Sequence, residues 1–234
     1  MADLTLYFPS SGASDITPAY GAIWQDTSVM TRIAMPSSKA TTAIAGRSPY
    51  KNAGNPYYGG AAQWITAAQA ARNWTISDTF DFVMQFRDVN TWSVTTYLLI
   101  RVVSNDGLTF RGTLYAGVIN ATVWAGTYTS RHNDAVAVQN SVAQQTNDRI
   151  VVEVGARWAT DSINSTAQTI IGESTGGASA LPLNDTDTDT DKYPWISFTY
   201  GAGGPSPIGP AGAIVSAEDV DGAAMMRGTI QSEV

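Results

Sequence analysis

The sequence predicts an all-β protein: an antiparallel β-sandwich of jelly-roll-like form, carrying an extended C-terminal arm. Three observations predict it. Apolar residues alternate with period two through long stretches, turn residues separate those stretches, and the chain closes on a Gly/Pro-rich segment of different character. Apolar residues are 44% of the chain, enough for a substantial core, while charged residues are only 14%, against about 25% in typical soluble domains. Thr, Ser, Asn, Gln and Gly fill the gap, which gives a neutral, hydrogen-bonding surface. Sandwiches of 200–250 residues commonly fold as one unit, so a single large domain is expected.

The strands follow in order of clarity. From Thr79 to Arg87, the set Phe80, Phe82, Met84 and Phe86 alternates with Asp81, Gln85 and Arg87, the pattern of a strand with one buried face. Val94–Val103 is apolar on both faces, with Leu98 and Ile100 on one and Tyr97 and Leu99 on the other. That suits a central strand. Ser104-Asn105-Asp106-Gly107 then supplies turn chemistry. Its partner strand is expected to place Leu108, Phe110, Leu114 and Ala116 inward. Further strands are read at 122–129, 149–157, 167–172 and 194–200, with weaker signals at 4–8, 30–35 and 41–45. Ala61–Arg72 stays open between helix, for its Ala/Gln content, and extended pairing, which Trp64, Trp74 and Ile76 fit. The expected core comprises Phe80, Phe82, Met84, Phe86, Leu98, Ile100, Phe110, Leu114, Val152 and Val154.

After Tyr200 the character changes. Residues 201–212 are almost entirely Gly, Pro, Ala and Ser and cannot form a sheet interior. Residues 1–200 are therefore read as the sandwich domain, and 201–234 as a linker and C-terminal interaction arm. Within the arm, Ile214, Val215, Met225 and Met226 are the candidate partner-binding anchors, set among Glu218, Asp219, Asp221 and Glu233.

Charge and composition exclude several functions. Net charge is −7, and the three lysines and ten arginines form no run, so a phosphate-binding nucleic-acid surface is not expected. No cysteine is present, which removes disulfides, thiolate zinc sites and cysteine nucleophiles together. The first residues carry no basic region before a long apolar core, and the run 94–103 is too short to span a bilayer. A soluble chain without membrane partners is the expectation.

Catalytic motifs are hard to find. The single histidine, His132, follows a predicted strand and reads as an exposed loop residue, with no Gly-x-Ser-x-Gly elbow to partner it. The glutamates Glu153, Glu173, Glu218 and Glu233 are dispersed, without the paired spacing that glycoside hydrolysis needs. Glu153 shares a strand face with Arg157 and reads as one half of a surface ion pair. The run Asn184-Asp185-Thr186-Asp187-Thr188-Asp189-Thr190-Asp191 repeats hard oxygen ligands at i, i+2 and i+4. It makes Asp185, Asp187 and Asp189 a candidate calcium site, the alternative being an exposed solvated loop. No other cofactor is expected. Seven tryptophans and ten tyrosines are many for this length. Of these, Tyr50, Tyr57 and Tyr58 cluster in a loop-like stretch without strand period and form a candidate contact surface.

Four stretches carry a family resemblance: 4–11 (Leu-Thr-Leu-Tyr-Phe-Pro-Ser-Ser), 22–28 (Ala-Ile-Trp-Gln-Asp-Thr-Ser), 147–157 (Asn-Asp-Arg-Ile-Val-Val-Glu-Val-Gly-Ala-Arg) and 193–198 (Tyr-Pro-Trp-Ile-Ser-Phe). Together they resemble structural proteins encoded in tailed-bacteriophage genomes. The resemblance implies a virion component with a jelly-roll-like body, of the capsid decoration, head or tail accessory type. It implies partners that are other virion proteins and copies of itself, and it transfers no active-site residues. The expected function is non-enzymatic. The rival reading is a carbohydrate- or receptor-binding module, with a glycan held on the exposed aromatics.

Overall fold

A computed structural model describes residues 4–39, 45–51, 56–88, 93–159, 165–171, 179–188 and 192–200. The arm anchors Ile214, Val215, Met225 and Met226, and Asp189 of the acidic run, lie outside the described residues. Among those described there is no helix. The strands are β1 (Leu4–Tyr7), β2 (Arg32–Met35), β3 (Ala45–Arg47), β4 (Tyr50–Lys51), β5 (Tyr57–Thr66), β6 (Arg72–Trp74) and β7 (Thr79–Asp88). They continue with β8 (Val94–Val103), β9 (Phe110–Asn120), β10 (Thr129–Ala137), β11 (Val142–Gln144), β12 (Arg149–Trp158), β13 (Ser165–Ile171) and β14 (Trp195–Thr199).

Two sheets face each other. In the first, β7 is central: β10 pairs with it along one edge, while β14 and β13 pair with successive halves of the other. From β14 this sheet extends to β1, and from β13 to β3 and β4. The second runs β2-β5-β12-β8-β9, antiparallel except for the parallel pair β2 and β5. A small β6-β11 ribbon completes the set. The architecture is an all-β sandwich, as the alternation predicts.

Between the sheets lies a continuous apolar core. Phe80, Phe82, Met84 and Phe86 of β7 face Leu98 and Ile100 of β8 and Val152 and Val154 of β12 across it. Aromatic rings bridge the layers: Phe8 packs between Trp64 at 4.7 Å and Phe82 at 5.8 Å, and Phe80 meets Tyr115 at 5.2 Å. Burying such rings contributes beyond their area through edge-to-face contacts.

One open reading is settled here, and two expectations are corrected. Residues 61–66 continue β5 instead of forming a helix, because Ala62 and Trp64 fill the core while Gln63 and Ile65 face the other way; tertiary burial overrides the local alanine propensity. Residues 122–128 form no strand. Trp124 plugs the core from this loop, stacked on Phe86 at 4.5 Å. Phe110 and Leu108 do not point inward: they are 58% and 82% exposed. The register explains it. Opposite β8, β9 carries shifts between Ile100 and Arg101 and between Val102 and Val103, so Phe110 pairs with Val103, Thr113 with Arg101 and Ala116 with Leu99, all on the outer face. Each bulge inverts side-chain parity.

The outer face of the second sheet is itself apolar and is covered by a strap, residues 9–31. Trp24 and Met30 pack on Leu99 with Tyr20 and Ile23, and Ile16 packs on Ile65, Val103 and Val151. A sheet apolar on both faces must be covered on both.

Candidate functional site

The strap is pinned at a buried carboxylate. Glu153 projects from β12 beneath it with no solvent exposure, not toward Arg157 at the surface as the sequence suggests. Trp24 Nε1 donates to Glu153 Oε2 at 2.6 Å, Gly21 N donates to the same oxygen at 3.0 Å, and Gln63 Nε2 donates to Oε1 at 2.6 Å. Arg101 of β8 donates from Nη2 to Oε1, forming an ion pair, and also to the Ala19 carbonyl at 2.8 Å. A buried charge with a full set of donors is held firmly, and removing any donor is costly. Gly21 is required by this approach: a Cβ there would stand 2.2 Å from Leu99 Cδ2 and 2.8 Å from Glu153 Oε2.

A second polar cluster caps the first sheet. His132 lies on β10, half-buried, not in an exposed loop. Its Nδ1 sits 2.9 Å from Asp185 Oδ1, and its backbone N donates to the same oxygen at 2.8 Å. Asn120 Nδ2 adds donations to both Asp185 oxygens at 3.2 Å. Burial raises the Asp185 pKa, but the donations from His132 and Asn120 outweigh it, so the carboxyl lies below its ordinary value. Next along, Ser130 N donates to the Asp187 carbonyl at 2.8 Å, and Lys192 forms an ion pair with the Asp187 carboxylate. Residues 184–187 are therefore laid along the outer edge of β10, covering backbone groups that an open edge would expose. Asp185 and Asp187 each have a cationic or donor partner within the protein. Among the described residues, no group of three or more His, Asp or Glu side chains is placed to hold a metal.

The tyrosine cluster separates. Tyr57 is buried at 3% exposure on β5, edge-on to Trp158 at 5.9 Å. Tyr58 faces the opposite side of the same strand and packs against Tyr97 at 4.9 Å. Tyr50 stands exposed on β4, in the other sheet. Period-two geometry puts neighbouring residues on opposite faces, so the three do not share one surface, and Tyr57 leaves the contact set.

The exposed apolar side chains Leu108 and Phe110 lie instead at the β8–β9 turn, where Gly107 adopts φ +77°. Phe110 and Ile23 line a groove of about 300 Å³ on the outer face, together with Tyr97, Leu99, Arg101 and Ala116. The bulges of β9 were the unseen signal: nothing in the residue pattern marks where parity inverts. The turn residues Asn105 and Asp106 also line a polar recess of about 330 Å³, with Arg111, Gln145 and Asn147.

No family model and no curated protein matches this sequence. Among solved structures, the chain is similar to a CocE/NonD family hydrolase from Staphylococcus aureus, with a TM-score of 0.41 and 6% identity, over 71% of this chain and 34% of that one. It is also similar to structures of infectious bursal disease virus. The Gx strain gives a TM-score of 0.29 and 11% identity over 78% of this chain and 44% of that one, and the Gt strain 0.24 and 14% over 81% and 42%. The chain spans less than half the length of each of these proteins, and at such scores no residue role passes from them to this chain.

Proposed function

We propose that this chain is a non-enzymatic structural subunit of a virus particle, of the tailed-bacteriophage decoration or head or tail accessory kind, located in the virion and docking on neighbouring subunits. One observation carries the reading: the groups best suited to chemistry serve to hold the body together, while large apolar side chains are left in solvent. Glu153 fastens the strap and His132 with Asp185 seals a sheet edge, whereas Leu108 and Phe110 stand exposed beside an apolar groove. Clustered exposed apolar groups mark interaction surfaces. The residue patterns at 4–11, 22–28, 147–157 and 193–198 support the same reading. Quantitative mass spectrometry of purified particles of the encoding virus tests it. The chain should be present in a fixed, saturable copy number, and its absence from particles would defeat the proposal.

A second reading, glycan binding, draws on the polar recess lined by Asn105, Asp106, Gln145 and Asn147, since converging amide and carboxylate groups suit the hydroxyls of a sugar. Saturable binding of the full chain on a glycan array, lost in Asn147→Ala, would favour it.

A further inference from the structure

We infer that the polar recess between the β8–β9 turn and the β11–β12 turn is a binding site for a neutral pyranose sugar, held by direct hydrogen bonds without a metal. The inference rests on the glycan-binding reading above and names the ligand and the groups that recognise it.

The recess has a volume of about 330 Å³, near the lower end of small-ligand sites, and no apolar residue lines it. An occupant must therefore be polar on every side. Its two walls are built alike, each presenting a side-chain amide buttressed by a guanidinium. On the β8–β9 turn, Asn105 Oδ1 accepts from Arg149 Nε at 3.1 Å, and Arg149 is itself clasped by both Asp15 oxygens at 3.0 and 2.7 Å. On the β11–β12 turn, Gln145 Oε1 accepts from Arg111 Nη2 at 2.9 Å, and Arg111 Nε donates to Asp148 at 3.1 Å. A guanidinium can only donate, so the amide atom that meets it must be oxygen. The NH₂ groups of Asn105 and Gln145 are thus left as donors, without a partner among the described residues.

Asp106 supplies the acceptor. Its Oδ1 takes donations from the Ser104 hydroxyl and, at 3.0 Å, from Leu108 N, while Oδ2 has no partner among the described residues. Those two donations hold the carboxyl below its ordinary value, so it is ionised at neutral pH. Asp148, the other carboxylate of the recess, is spent on Arg111 and on Gln145 N. Asn147, at φ +71°, adds an amide with both a donor and an acceptor.

This set of groups selects its ligand. An anion would meet the Asp106 charge, and a cation would leave the amide donors unanswered. A hydroxyl both donates and accepts, so neighbouring hydroxyls of a sugar ring can donate to Asp106 and accept from Asn105 and Gln145 at once. With Asp106 the one carboxylate left over, the recess lacks the oxygen ligands that a calcium-bridged sugar requires.

The test uses the full chain on an array of neutral and acidic glycans, with and without chelator. Wild type should bind neutral glycans saturably in both conditions. Three isosteric changes then reverse single groups while keeping their supports. Asn105→Asp and Gln145→Glu still accept from Arg149 and Arg111 but replace the free NH₂ by oxygen. Asp106→Asn still accepts from Ser104 and Leu108 but turns the free oxygen into a donor. Each should unfold thermally as wild type does and weaken binding at least roughly tenfold. Binding to acidic glycans alone, binding abolished by chelator, or unchanged binding in the three variants would each overturn the inference and leave the glycan reading standing. A wild-type chain that binds no glycan defeats that reading, and the inference with it.

Discussion

Trp24 donates its indole hydrogen to Glu153 at 2.6 Å, joining a residue of the N-terminal strap to a fully buried carboxylate on the central strand β12. The same carboxylate receives Arg101 from β8 and Gln63 from β5. One side chain therefore ties three strands to the segment that covers them. Without the strap, the apolar residues Leu99, Val103 and Val151 would face water.

Glu153→Gln should destabilise the protein by about 3–5 kcal/mol in denaturant unfolding, because it leaves the Arg101 charge buried without its partner. Adding Arg101→Met should recover part of that loss. If the double variant proves no better than the single, the cost arises from packing and the electrostatic account fails.

Gly21→Ala should lift the strap, since the new methyl would meet Leu99 at 2.2 Å. Overpacking of this kind costs about 1–3 kcal/mol. Increased quenching of Trp24 fluorescence by acrylamide would report it; unchanged quenching would show that the strap tolerates the methyl.

Much of the sandwich is legible in the sequence, and the residues show why. The alternation of Phe80, Phe82, Met84 and Phe86 fixes β7 because one face is core along its whole length. Leu98 and Leu99 signal a strand covered on both sides, although nothing local says that residues 9–31 form the second cover. The failures occur where long-range geometry decides. Period-two counting puts Phe110 inward because it passes over bulges, and the bulges of β9 answer to β8. Glu153 looks like a surface charge until the strap is in place. His132 and Asp185 are far apart in the chain, and only the edge of β10 brings them together.

The register correction has its own test. Phe110→Ser should change stability by less than about 0.5 kcal/mol, as expected at an exposed site. Phe82→Ala, in the core, should cost about 3–5 kcal/mol. Equal losses at the two positions would place Phe110 inside and invert the register of β9.

Asp185 predicts a pH dependence of defined sign. Its folded pKa lies below the ordinary value of 3.8 through the donations from His132 and Asn120, which outweigh burial. Its stabilisation is therefore fully present above that value and is lost as pH falls through the folded pKa. The stability difference between wild type and Asp185→Asn should be visible at neutral pH and shrink progressively below pH 3.8. The site is partly exposed, so the effect should be modest, on the order of 1 kcal/mol or less. A difference that grew on acidification would contradict the assigned hydrogen bonds.

Because Lys192 pairs with Asp187 and His132 with Asp185, calcium should add little to stability. Thermal unfolding with calcium and with chelator should coincide. A midpoint raised by calcium would mean that the acidic run leaves the β10 edge to bind the ion.

The central claim is that the sandwich folds by its own core and attaches through the residues beyond it. Ordering a chain costs roughly 1–2 kcal/mol per residue, and residues 201–234 carry few large apolar side chains to offset this without a partner. The direct measurement compares the full chain with one ending at Gly204, in thermal unfolding and in rebinding to particles stripped of this subunit. The expected unfolding free energy of the shortened chain is unchanged within about 0.5 kcal/mol, with affinity for the particle reduced at least roughly tenfold, or about 1.4 kcal/mol. A shortened chain that unfolds, or one that rebinds as tightly as the full chain, would contradict it.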